Sequence, residues 1–161
     1  MMRTFGQGRI QIAPWHQTKY IFASSFTFLL PAFFAWNRDC YIHSIILLSC
    51  SFVSANYWRD ANDCWRRSLD LALSKFAFVV FFCSGLHILI VSTSRYSQVK
   101  FLLTGSTYLS AMSIFYSKSS SLHQQGYPGW FRYHVLFHFC TVAAQMFVIS
   151  NIAVADTCHL I

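Results

Sequence analysis

Five stretches of mostly apolar residues occupy the chain from Tyr20 to Val154, with short polar joints between them. They lie near 20–36, 40–57, 70–93, 99–116 and 132–154. A helix needs about 20 such residues to cross the hydrocarbon core of a bilayer. The pattern therefore predicts an all-α fold: a single polytopic transmembrane helix bundle of about five spans, covering 1–161 as one domain. Pro31 stands inside the first stretch and predicts a kink, because proline has no N–H to give to the preceding turn. Lys75, one turn into the third, can carry its ammonium back to the surface along its own aliphatic stem. The fourth is unusually polar, with Thr104, Ser106, Thr107, Ser110 and Ser113. Small hydroxyl residues of this kind favour close packing between helices.

The charges point the same way. Only 11% of the 161 residues are charged, against about 25% in an average soluble domain. That supply is too small to cover a water-soluble globule, which excludes a soluble enzyme and a disordered tail. The five acids are all aspartates (Asp39, Asp60, Asp63, Asp70 and Asp156), so the commonest carboxylate of proton relays, glutamate, is missing. The net charge of +7 comes from cations spread singly along the flanks of the apolar runs. A nucleic-acid partner would call for a basic stripe, and none is present.

Five spans put the two termini on opposite sides. The side of the N-terminus then holds Arg3, Arg9, Lys19, Arg59, Arg66, Arg67, Lys75, Lys118 and Arg132, and the other holds Arg38, Arg95 and Lys100. Lys and Arg concentrate on the side from which a membrane protein inserts. The N-terminus is therefore expected on the cytoplasmic or matrix-like side, called the basic side below. An acid-free basic start is compatible with import into an organelle, the mitochondrial inner membrane being one such setting. Gly6, Gly8 and Pro14 weaken the amphipathic helix that import wants and fit a cytoplasmic-type tail equally well. Trp58, Trp65, Tyr127, Trp130 and Tyr133 fall at the same level and read as an interfacial aromatic belt. Of the six cysteines, Cys50, Cys83 and Cys140 lie inside apolar runs, where cysteine usually only packs. Cys40 and Cys158 fall near the opposite face and can pair if that compartment is oxidising.

Three constellations converge at the basic side. His134 and His138 sit four residues apart, one turn on one helical face, which suits a shared metal ion. Ser54 and Asn56 close the second span, and Asp70 opens the third. Ionisable groups inside a bundle cost about 2.5–3.5 kcal/mol on insertion scales, which makes their clustering a functional hint. The plain alternative is structural: histidines hydrogen-bonding neighbouring helices, Asn56 doing the same, and Asp70 capping its helix with Arg66 or Arg67 as ion partner. In the joining loop, Arg59, Trp65, Arg66 and Arg67 suit an anionic phospholipid headgroup such as cardiolipin, or simple electrostatic anchoring. Histidine pairs on different spans, such as His43 with His87 toward the far side, could ligate a haem between helices.

The order Ser54, Asp70, His134-x-x-x-His138 resembles the alkaline-ceramidase-like superfamily of membrane hydrolases, over 51–138. The spacing of Asn56-Tyr57-Trp58-Arg59, Trp65-Arg66-Arg67, Asp70, Trp130, Tyr133-His134 and Phe137-His138 is also similar to that of small multi-span proteins of algae and other protists. The superfamily resemblance implies a zinc ion held by three histidines, with an Asp and a Ser beside the metal-bound water. Trp58 stands where the family carries the third histidine, and five spans replace the family's seven. Two imidazoles alone rarely hold a catalytic zinc.

These features favour a non-catalytic accessory subunit among other membrane subunits, with no cofactor of its own. The alternatives are a zinc-dependent hydrolase of lipid amides or esters, with Ser54 and Asp70 as catalytic candidates, and a small transporter or lipid-binding protein.

Overall fold

The computed structural model describes residues 12–62, 64–92 and 94–154. Helices α1 (Trp15–Ser25) and α2 (Leu29–Trp36) make one rod, interrupted by a 3-10 turn at Phe26–Phe28. The interruption lies one turn before Pro31. Proline offers no N–H to the carbonyl of Thr27, and its ring crowds that carbonyl. The hydroxyls of Ser24 and Ser25 both turn back to the Ile21 carbonyl at 2.9 Å, a backbone contact that further bends helices.

Four more rods follow: α3 (Tyr41–Trp58), α4 (Trp65–Val91), α5 (Arg95–Gln124) and α6 (Trp130–Val154). Successive rods run antiparallel through short joints, each closed by local hydrogen bonds. After α2, Asp39 takes a left-handed φ of 59°. Cys40 N–H then bonds the Ala35 carbonyl, and Asp39 N–H bonds that of Trp36. After α5, Gly126 (φ 71°) does the same, with Tyr127 N–H on the Leu122 carbonyl and Gly126 N–H on that of His123. Both are Schellman closures, which need one left-handed residue. Between α4 and α5, the Gln98 amide bonds the carbonyls of Leu89 (3.1 Å) and Ser92 (2.7 Å). Gly126→Ala forces a Cβ into the left-handed region and is expected to cost about 1–2 kcal/mol. Thermal unfolding in detergent will read it.

α3 packs against the α1–α2 rod and α4, and α6 packs against α5, the α1–α2 rod and α4. α4 and α5, although consecutive, barely touch. The main core gathers Phe28, Leu47, Phe81, Phe101, Ile149 and Ile152. A second core at the basic end gathers Ile21, Tyr57, Trp58, Ala61 and Trp130.

Outside these cores α4 exposes Phe76, Phe78, Val79, Phe82, Leu86 and Ile90, the last 81% accessible. A continuous apolar face of this kind is costly in water and at ease in lipid. Among the described residues three rods are long and apolar enough to cross a membrane: Trp15–Trp36, Trp65–Val91 and Trp130–Ile152. The fold is thus all-α and compatible with an integral membrane protein. α3 and α5 are too polar to meet the same measure, although both run the length of the bundle. The helices also outrun several expected limits. α4 starts at Trp65 instead of 70, and α5 extends over Arg95–Gln124 instead of 99–116.

Candidate functional site

His134 and His138 face the bundle interior from the first turns of α6, with ring centroids 5.0 Å apart. Each Nδ1 meets a serine. That of His138 lies 2.9 Å from Ser24 Oγ on α1, and that of His134 lies 3.4 Å from Ser119 Oγ on α5. Ser24 already donates its only proton to the Ile21 carbonyl. The hydrogen-bond network therefore assigns the proton of the shared bond to His138 Nδ1, so the imidazole donates and Ser24 accepts. Aromatic rings wall in both imidazoles. Phe28 lies 5.2 Å from His138, and Trp58 and Trp130 lie 5.0 and 6.2 Å from His134.

Ser54 and Asp70 form a separate pair across α3 and α4, the Ser54 hydroxyl donating to the Asp70 carboxyl. Ser25 Oγ lies 3.1 Å from Ser54 Oγ, and Ser51 Oγ donates to the Ser25 carbonyl at 3.0 Å. The adjacent serines of α1 thus serve two neighbours, Ser24 reaching α6 and Ser25 reaching α3. Among the described residues, no group of three or more His, Cys, Asp or Glu could hold a metal ion. The Trp58 indole packs against His134 with ring centroids 5.0 Å apart in an edge-to-face arrangement.

Several expected positions land elsewhere. Asn56 is exposed, and its carbonyl accepts from Arg66 Nη1 at 3.4 Å. Trp58 and Trp130 are buried at 7% and 5% accessibility instead of standing in an interfacial belt, while Trp65 is 69% exposed. Trp130 Nε1 bonds Gln17 Oε1 on α1 at 2.8 Å, a partner a buried indole needs. His43 Nε2 pairs with Ser84 Oγ at 2.9 Å and its ring packs on Phe81, which uses it as an α3–α4 tie. Ser24, Ser25, Ser51 and Ser119 join the site although nothing in the sequence singles them out as candidates. Their one signal is small hydroxyls inside apolar helices.

In the loop before α4, Arg66 Nη2 binds Asp60 Oδ2 at 2.9 Å, and the Arg66 side chain is only 15% accessible. Arg66 therefore braces the loop instead of presenting itself to a headgroup, while Arg59 and Arg67 stay exposed. The Arg66 guanidinium also hydrogen-bonds the Cys64 thiol and holds it below its ordinary pKa. Thiolate is the reactive form, so Cys64 is expected to alkylate with a midpoint at lower pH than a free thiol. Arg66→Gln will move that midpoint up, readable in iodoacetamide rates across pH. Cys40 is disulfide-bonded, and Cys50, Cys64, Cys83 and Cys140 are free. Cys158, the partner expected from sequence, lies outside the described residues.

No family model matches the chain, and neither the curated proteins nor the solved structures contain a significant match to it.

Proposed function

We propose that the protein is a non-catalytic accessory subunit of a larger membrane assembly, one setting being an organelle's energy-converting membrane. The observation that carries this reading is the outer face of α5. Ser106, Ser110, Ser113 and Ser117 are all exposed there, at the four-three-four spacing that makes one stripe along a helix. α5 is covered essentially by α6 alone. Lipid gives such a face nothing, whereas small hydroxyl residues let a neighbouring helix approach closely. The two buried polar pairs fit the same reading, because each ties rods together through serine hydroxyls.

Extraction from native membranes in a mild detergent, followed by native electrophoresis, tests the proposal. The chain is expected to migrate with partners far above its own 18.6 kDa. Ser110→Phe with Ser113→Phe should release it from them without unfolding the isolated chain. A monodisperse monomer from native membranes ends the proposal.

A zinc-dependent hydrolase of lipid amides or esters is the second reading, favoured by the juxtaposed His134 and His138 rings. Stoichiometric zinc in the purified protein, lost in His138→Ala, would replace the first reading by this one.

A further inference from the structure

The α3–α4 loop is the place where the sequence suggests a lipid headgroup, yet its central arginine is spent on Asp60. A different surface at the basic end has cations without acids. Lys19 on α1 lies over the Tyr20 ring at 5.1 Å, and Tyr20 stacks on Phe131 of α6 at 5.0 Å. On the other flank, Lys118 of α5 lies over the Tyr133 ring at 5.2 Å. Arg132 stands between Phe131 and Tyr133 on the outward side of α6 and is exposed, as are Lys19 and Lys118.

The row therefore reads Lys19, Tyr20–Phe131, Arg132, Tyr133, Lys118 across three neighbouring rods. Every aspartate near this end (Asp60, Asp63 and Asp70) belongs to the α3–α4 loop or the start of α4. Among the described residues no carboxylate pairs with these three cations. Beside Arg132 the joint before α6 leaves a hollow of about 440 Å³, bordered by Tyr127, Gly129, Tyr133 and Leu136.

The geometry points to this surface as a binding site for the headgroup of an anionic phospholipid in the basic-side leaflet. The charges are complementary to a phosphodiester. Guanidinium offers it paired N–H donors, and lysine ammonium offers point charges. Each lysine ammonium rests over a tyrosine face, and amphipathic rings of this kind settle at headgroup level. Below them the exposed apolar residues Leu136 and Phe139 of α6 continue into the acyl region. That combination suits a lipid better than a free phosphate, which has no use for the apolar continuation.

Native mass spectrometry of the delipidated full chain in mild detergent tests the site, with phosphatidylglycerol, phosphatidylcholine and soluble glycerol phosphate as probes. Phosphatidylglycerol is expected to bind selectively. Each of Lys19→Gln, Lys118→Gln and Arg132→Gln should weaken it about fivefold, and the triple variant on the order of a hundredfold. The double variant Arg59→Gln, Arg67→Gln serves as the control and should leave it within about twofold of the parent chain. All of these residues are exposed, so folding should survive. Equal binding by the triple variant overturns the proposal, as does a control that weakens as much as the triple. Glycerol phosphate binding as tightly as the lipid would also overturn it, by showing a site for free phosphate.

Discussion

Trp58→Ala is expected to lower the unfolding free energy by about 3 kcal/mol. The indole is 7% accessible and touches Tyr57 at 4.8 Å, His134 at 5.0 Å and Trp130 at 6.0 Å. Burying tryptophan in a close-packed core and then removing it costs about 3–5 kcal/mol in soluble proteins. The low end applies here, because lipid or detergent tails also offer apolar company to the separated helices. Trp65→Ala, seven residues later, should cost close to nothing, since that ring is 69% exposed.

Denaturant unfolding in one detergent reads both variants side by side. A Trp58→Ala loss below about 1 kcal/mol would mean that the basic-end cluster is not a packed core. The neighbouring Ser24–His138 bond gives a finer contrast. Ser24→Ala leaves the His138 Nδ1 proton without an acceptor and should cost about 1–2 kcal/mol. Ser24→Ala combined with His138→Phe removes both partners and should recover much of that loss.

The second large effect is an all-or-none pattern of thiol labelling. In sealed membranes, an impermeant maleimide should modify Cys64 from the basic side only. Cys40, disulfide-bonded and only 2% accessible, should resist it from both sides. Cys64 stands beside Arg66, which holds its thiol below its ordinary pKa, and lies in the joint between α3 and α4. Cys40 lies in the joint between α2 and α3, at the other end of the bundle, and is disulfide-bonded. Disulfides persist where the compartment is oxidising, whereas Lys and Arg collect on the reducing, cytoplasm-like or matrix-like side. Charge and sulfur thus predict the same orientation by unrelated physics. Modification of Cys64 from the opposite side, or of Cys40 from either, would refute it.

The helical class and the approximate course of the rods were legible because each apolar run is long and each joint is marked by polar residues. Limits were less so. Polar first turns such as Trp65-Arg66-Arg67 are helical yet hydrophilic, and hydropathy alone places the boundary inside them. The interior was harder still. Trp58, Trp65 and Trp130 look alike as aromatic residues at helix ends, and only packing separates the two buried rings from the exposed one. Arg66 and Arg67 are equally basic neighbours, but a helix turns about 100° per residue, and only Arg66 faces Asp60. The histidine pair was visible from its spacing. The serines that hold it come from α1 and α5, more than a hundred residues away in one case, and no local pattern announces such a partner.

The alternation of strongly and weakly apolar rods bears on how the chain enters a bilayer. α4 and α6 are apolar enough to partition as independent segments, whereas α3 and α5 lie beyond the measure that marks a self-sufficient span. Each weak segment follows a strong one through a joint of only a few residues, locked by the Asp39 turn before α3 and by Gln98 before α5. Delivery as hairpins is the expectation in a bilayer: the stronger arm would carry the weaker one past the headgroups, and the serine and histidine ties would then form among neighbours already in place. For α5 the outer hydroxyl stripe is still uncovered at that stage. Under the proposed function, membrane integration would come first and the docking of a neighbouring helix on that stripe second.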